Sequence, residues 1–203
     1  MKHSSFLTRR FFLSGLFLLS FGVSLHADPV EDRVNWIRAR YGEIEGARLR
    51  SRSFEFESQD EPLSGTCTLY FQGDEVVKVL LSYGAGDHGA SDEYYYYSGG
   101  TLFFVYASDG YWRFTGETLS NGESETIDTA VEHRLYLDGG RIVRHLSKEA
   151  TSKKPEALKG LLAKAENHPS GDSDRAARLV RRGLRANSIR NAGAALQVLM
   201  EDE

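Results

Sequence analysis

The chain changes its hydrophobic rhythm along its length. From Asp28 onward, Val30, Val34, Ile37 and Tyr41 recur at helical spacing. Asp28 suits a helix cap and Pro29 the first helical position. Glu31 lies three residues past the cap, where its carboxylate would reach back to it. Residues 29–41 are therefore predicted to form one amphipathic helix that stops at Gly42.

From there to His145 the period is two. Phe54 and Phe56 alternate with Glu55 and Glu57. Three later segments repeat one scheme, running from Tyr70 to Val77, from Tyr96 to Phe103 and from Tyr136 to Val143. Each is an aromatic-led strand, a glycine-containing turn and a second apolar strand. Two-residue hairpin turns favour positive φ, which places Asp74, Gly100 and Gly140 in the left-handed position. Side chains alternate across a strand, so Tyr70, Tyr96 and Tyr136 fall on one face and Phe71, Tyr97 and Leu137 on the other. Val77, Phe103 and Val143, continued by Val79 and Val105, make one apolar face. Val76, Leu102 and Ile142 open the opposite one, which then admits Lys78 and Arg144. One face is dry and one mixed, and tyrosine suits the mixed face because its ring packs while its hydroxyl stays wet. The dense run from Glu93 to Tyr97 thus reads first as sheet-building material.

Helical spacing returns after residue 147. Pro155 opens a helix with Leu158, Leu161, Leu162 and Ala165 on one side, and the segment 167–171 breaks it. Asp172 to Asn187 carries the stripe Ala176, Leu179, Val180 and Leu184, and Ser188 starts a third stretch with Ile189, Ala192, Leu196 and Leu199 inward. The fold class is α+β: an N-terminal helix, an antiparallel meander of about six or seven strands built from three similar hairpins, and C-terminal helices.

Charge and the N-terminus add a destination. Lys2, Arg9 and Arg10 precede an uncharged, mostly apolar run from Phe11 to Leu25, closed by Ala27. That layout is a secretory signal peptide over residues 1–27 with cleavage before Asp28. The segment from Thr8 to Leu13 resembles the twin-arginine export signal of bacteria. The expected division is a leader over 1–27, a helix-plus-sheet domain over 28–146 and a helical extension over 147–203. The expected localisation is therefore periplasmic or secreted. The whole chain carries a formal charge of −4. Without the leader it holds 22 basic and 29 acidic residues, a balance of −7, which argues against general nucleic-acid binding. Residues 28–146 balance at −10 and residues 147–203 at +3, so the basic tail would dock on the acidic sheet or meet a partner or an anionic membrane surface. The single cysteine, Cys67, alternates with Leu69 and Phe71 and reads as an inert core thiol.

Candidate chemistry is sparse. Residues 83–93 form a glycine-rich stretch with a histidine and three carboxylates, and Asp87 or Glu93 would orient His88 as a general base. Exposed rings at Tyr95, Tyr111 and Trp112, beside Arg113, would suit stacking of a sugar or peptide. Residues 117–128 read as an exposed acidic loop. Arg175, Arg178, Arg182 and Arg185 share a helical face and read as solvated. No histidine or cysteine spacing supports a metal site, and no motif calls for a cofactor.

The pattern Glu-x-Tyr-x-Tyr-x-x-Gly-x-Leu-x-Phe-Val of residues 93–105, with its echo from Glu132 to Leu146, resembles a group of small exported bacterial proteins of unassigned function. The likeness covers about residues 30–147, and the hairpins also resemble the Tyr-and-Gly repeats called MORN. Neither implies a known activity. The expected function is non-catalytic binding in the periplasm or at the cell surface, to a protein, peptide or glycan of the envelope. The alternative is a hydrolase built on His88, Asp87 and Glu93. A third class is a structural envelope component that uses the basic tail as its contact.

Overall fold

The computed structural model describes residues 28–86 and 89–201. The expected leader lies outside them, as do Asp87 and His88. Helix α1 (Pro29–Gly46) leads into strands β1 (Arg50–Glu57), β2 (Leu63–Gln72), β3 (Glu75–Ala85), β4 (Gly89–Ser98), β5 (Thr101–Thr118), β6 (Ser124–Asp138) and β7 (Arg141–Ser152). Helix α2 (Pro155–Lys164), the short strand β8 (His168–Pro169) and helices α3 (Ser173–Ala186) and α4 (Ala192–Met200) complete the chain. All eight strands form one sheet in sequence order, each antiparallel to the next. The α+β meander is as expected, with slightly more strands.

The three hairpins fall where the repeat places them. Tyr70 pairs with Lys78, Lys78 with Tyr96, Tyr96 with Phe104, Phe104 with Tyr136 and Tyr136 with Arg144. The three tyrosines thus lie in one row across the sheet. Gly99, Gly100, Gly139 and Gly140 all take positive φ, as a type I′ turn requires. In the first hairpin it is Gly73 that does so, at φ 64°, and Asp74 does not, which corrects the expected role of Asp74. A residue with a Cβ resists the left-handed region, so the turn shifts its positive φ to the available glycine.

Each hairpin also carries a β-bulge at the same place. Register slips between Tyr70 and Phe71, between Tyr96 and Tyr97, and between Tyr136 and Leu137. The extra residues are Val77, Phe103 and Val143. Each points to the same face as the residue after it, so simple alternation fails there. Val77 and Phe103 join a core under α1 with Val34, Ile37, Ile44, Tyr96, Phe104 and Tyr136, while Val143 packs against its edge. Val79 and Val105 lie on the other face, in the core under α3 and α4. The face of Tyr96, Lys78 and Arg144 is the mixed one and the face of Val79 and Val105 the dry one, but the expected sets are split: Val77 and Phe103, expected on the dry face, lie on the mixed one, and Val76, Leu102 and Ile142, expected on the mixed face, lie on the dry one.

Helix α1 covers the mixed face. Asp28 caps it, accepting a 2.9 Å hydrogen bond from the Val30 amide. Glu31 does not complete the capping box: its carboxylate goes to Arg144 of β7 instead. The helix runs through Gly42 because its last turn is anchored. Ile44 is buried, and Glu45 accepts from Lys78 at 2.8 Å and from Tyr96 at 3.1 Å.

The dry face is covered by the C-terminal helices, so these share one core with the sheet. Ala176, Leu179 and Ala186 of α3 and Ala195, Val198 and Leu199 of α4 pack with Leu69, Val79, Tyr95, Tyr97, Leu102 and Leu135. Leu184, expected inward, is exposed. β7 runs to Ser152, past the boundary expected at residue 146. The expected acidic loop over 117–128 is mostly strand, turning only between Thr118 and Ser124, with Glu125 held by Lys153 at 2.7 Å.

Gly183 sets how closely α3 lies on the sheet. A Cβ there would meet Leu102 Cδ2 and the Tyr95 ring, each at 2.7 Å, and the Gly183 carbonyl accepts from the Tyr97 hydroxyl at 2.7 Å. Replacing Gly183 by Val is expected to lower stability by about 2 kcal/mol through overpacking, despite the better helix propensity of a non-glycine residue. Urea unfolding checks this: an unchanged midpoint would show that the helix can lift without cost.

Candidate functional site

The face under α3 grades from apolar to polar along the strands. At the hairpin-turn end lie Tyr97, Leu102 and Leu137, and the next row runs Leu69, Val79, Tyr95, Val105, Leu135 and His145. The third row runs Cys67, Leu81, Glu93, Ala107, His133 and Ser147, and the fourth Gly65, Tyr83, Ser91, Asp109, Val131 and Glu149. Helix α3 crosses all four rows. Its Ala176, Leu179 and Gly183 meet apolar rows, and its Arg175 and Arg182 meet the carboxylates of Glu93 and Asp109.

Glu93 is the centre. It is 0% exposed. Its Oε1 accepts from Tyr83 Oη, Arg175 Nη1 and Arg182 Nη1, each at 2.8 Å. Its Oε2 accepts from the Tyr95 hydroxyl. Arg175 also grips Asp109 in a fork, Nε to Oδ2 at 2.9 Å and Nη2 to Oδ1 at 2.6 Å, and Ser91 Oγ donates to Asp109 Oδ1 at 2.6 Å. Arg182 donates to Tyr83 Oη at 2.6 Å and to the Leu199 carbonyl at 3.2 Å, which ties α4 to the same knot. Arg175 and Arg182 are each 7% exposed, so the expectation that this arginine face is solvated fails for these two. Burial disfavours the charge on Arg175, but Glu93 and Asp109 outweigh it and raise its pKa. Burial and the Glu93 carboxylate raise the Tyr83 and Tyr95 hydroxyls, which therefore stay protonated as donors.

Two histidines extend the network toward β7. His133 Nδ1 lies 3.1 Å from His145 Nε2, and His133 Nε2 lies 3.8 Å from Asp109 Oδ2. Burial lowers the pKa of both below the ordinary 6.5, and for His145 the neighbouring His133 adds to this. The pair is neutral near pH 7, one ring nitrogen donating to the other.

Beside this knot an open groove of about 570 Å³ runs between the sheet and α3. Asp109, His133 and Arg175 form its inner wall, while Tyr111, Glu149, Asp172 and Arg178 stand at the lip. Tyr111 is 45% exposed. Arg178 and Glu149 make no hydrogen bond or ion pair with any described residue. Asp172 caps α3, accepting from the Arg175 amide at 2.9 Å.

The expected binding residues part company. Tyr95 is fully buried, so its expected exposure does not hold: it points into the dry core from the middle of β4. Tyr111 and Trp112 are neighbours on β5 and point to opposite faces. Tyr111 reaches the groove, whereas Trp112 faces the α1 side and meets Phe114 edge-on at 5.1 Å. Arg113 is exposed on the face of Tyr111. Of the hydrolase candidates, Glu93 is locked in its ion network, and Asp87 and His88 lie outside the described residues. The glycine-rich stretch is mostly strand, with only residues 86–88 between β3 and β4. Arg175, Arg182, Asp109, His133 and His145 were not singled out as a site by sequence reasoning. A visible signal existed: arginines seven residues apart, on the helical stripe that also carries Leu179 and Gly183, at a position meant to face an acidic sheet.

Among the described residues no group of histidines, cysteines and carboxylates is arranged to hold a metal ion, and no helix is long and apolar enough to cross a membrane. Burial pushes the Cys67 thiol up to about 12, so it is not a nucleophile near neutrality. No protein-family model, curated protein or solved structure matches this chain.

Two consequences follow from the geometry. Glu93→Gln removes one of the two carboxylates that face the buried Arg175 and Arg182 and is expected to cost about 3–5 kcal/mol. Thermal unfolding should show a fall of about 10 °C, and a shift below 2 °C, roughly the effect of half a kcal/mol, would mean the arginines find other acceptors. The histidine pair sets a pH dependence. Both folded values lie below 6.5, so the unfolded chain takes up these protons first. Stability is expected to be level above neutrality and to fall as pH drops through 6.5 toward the lower folded values. Denaturant titrations in steps from pH 8 to pH 5 check this, and the double variant His133→Gln, His145→Gln should flatten the decline.

Proposed function

We propose that the protein is an exported, non-catalytic binding module of the bacterial periplasm or cell surface, and that the groove beside α3 holds its ligand. One observation carries this reading. The acid–base groups of the inner wall are bonded to one another rather than to a nucleophile, while the lip offers side chains free to meet a ligand. Ser91 donates to Asp109, not to a histidine, so its hydroxyl is not poised for attack. Glu93 has its carboxylate filled by two tyrosines and two arginines, which removes it from the alternative hydrolytic arrangement with His88. Tyr111, Arg178 and Glu149 supply a stacking surface, a cation and an anion on a rigid frame. That combination suits a polar envelope fragment such as a short glycan or peptide.

The test uses the exported protein with chitotetraose and tetra-alanine as probes, followed by amide chemical shifts. Binding of either probe is expected to shift residues around Tyr111 and Arg178, and Tyr111→Ala is expected to weaken it about tenfold, as loss of one aromatic stacking contact would. The same preparation should begin at Asp28 by intact mass. Hydrolysis of p-nitrophenyl acetate that vanishes in His133→Ala would overturn the non-catalytic reading, and failure of both probes would overturn the assignment of the groove to envelope glycans or peptides.

A further inference from the structure

The opposite face of the sheet holds a second cleft that shares no lining residue with the polar groove. It has a volume of about 360 Å³ and lies between α1 and the middle of the sheet. Its walls are Ile37 and Tyr41 of α1 with Phe104, Tyr106 and Tyr136 of the sheet, and Arg38 and Arg134 complete the lining. The rings are inclined to one another rather than stacked flat. Tyr41 and Phe104 lie 5.5 Å apart at 72°, and Phe104 and Tyr136 5.1 Å apart at 54°. An apolar, concave site of this size with a few convergent polar groups is the form that small-molecule sites take.

The charge of the cleft is opposite to that of its surroundings. Residues 28–146 balance at −10, yet no carboxylate lines this cleft. Arg134 is held in place by Glu132 at 2.6 Å and Asn167 at 2.7 Å, with its guanidinium 5.2 Å from the Tyr106 ring centre. Lys148 stands 3.3 Å from the same Glu132, so one acid faces two cations there. Arg38 lies 6.0 Å above the Tyr136 ring and makes no hydrogen bond or ion pair with any described residue. Glu31, the acid one helical repeat before Arg38 on α1, is taken by Arg144. A surplus of positive charge therefore borders an aromatic cavity, one cation fixed and one free to reach a ligand.

We infer that this cleft binds a planar aromatic anion, with its ring among Tyr41, Tyr106 and Tyr136 and its carboxylate on Arg38 and Arg134. The ring faces supply stacking area, and each guanidinium supplies a charge-assisted hydrogen bond. A neutral ring would keep only the first of these.

The experiment titrates the exported protein with 2-naphthoate and with its uncharged isostere 2-naphthylmethanol, by calorimetry and amide chemical shifts. The naphthoate is expected to bind about fivefold or more tightly than the alcohol, and to shift residues around Arg38, Tyr106 and Arg134. Arg38→Gln should bring its affinity down to that of the alcohol, while Arg38→Lys retains part of the difference. Arg38 is exposed, so thermal unfolding of both variants should match the parent protein. Tyr106→Leu should weaken both probes. Equal affinity for the two probes, no binding of either, or shifts confined to Tyr111 and His133 would each overturn the inference. Because the two sites share no lining residue, these outcomes leave the reading of the polar groove untouched.

Discussion

One buried carboxylate decides how this protein is assembled. Glu93 sits in the middle strand of a face that is otherwise becoming a hydrophobic core, and a lone charge there would cost several kcal/mol. Arg175 and Arg182 answer it from a single helix, at positions that flank the apolar residues Ala176 and Leu179. The helix can thus lie along the whole face, meeting leucine and tyrosine at one end and carboxylates at the other. Such a knot adds little net stability compared with a well-packed apolar core. What it supplies is position: α3 can slide along the sheet only by unpairing buried charges. The link from Arg182 to the Leu199 carbonyl passes that constraint on to α4.

A second constraint comes from the bulges. Without them Val77 would share a face with Val79, and Phe103 with Val105. With one extra residue after each turn, the bulged residue joins the α1 side and the alternation beyond it is shifted by one, which turns Val79 and Val105 to the α3 core. The sheet so acquires two cores from three copies of one motif. Arg144 and Lys78, carried to the α1 side by the same shift, find Glu31 and Glu45 on that helix. The basic residues the sheet contributes are therefore used to fix α1, much as the acidic residues of the other face are used to fix α3.

The two faces end up with different chemistry. Beside α3 the polar end of the sheet leaves a groove whose inner wall is tied together by internal hydrogen bonds and whose lip carries Tyr111, Arg178 and Glu149. Beside α1 the aromatic rows leave a cleft edged with cations. Both rest on long antiparallel strands, and each is walled on its other side by a helix packed across the sheet.

Much of the architecture was legible in the residues. The period-two rhythm, the three glycine turns and the aromatic-led repeat specify the meander and put Tyr70, Tyr96 and Tyr136 in one row. Local spacing can do this because hairpins pair neighbours in sequence. Two capped helix starts were legible too, since Asp28 and Asp172 carry the capping side chains within a few residues of the amides they bind, whereas the third stretch was expected from Ser188 and α4 starts at Ala192, capped by Asn191. The site was not. Glu93 and Arg175 are 82 residues apart along the chain, and nothing local distinguishes a buried arginine from a solvated one on the same helix. Tyr95 was expected outside and lies inside, because its exposure depends on a helix that arrives after the sheet is complete. The chain by itself determined which strands pair and in what order, because hairpins join neighbours. Only the tertiary structure decided which charges are buried together, because burial is set by what packs across a face, and that partner comes from the far end of the sequence.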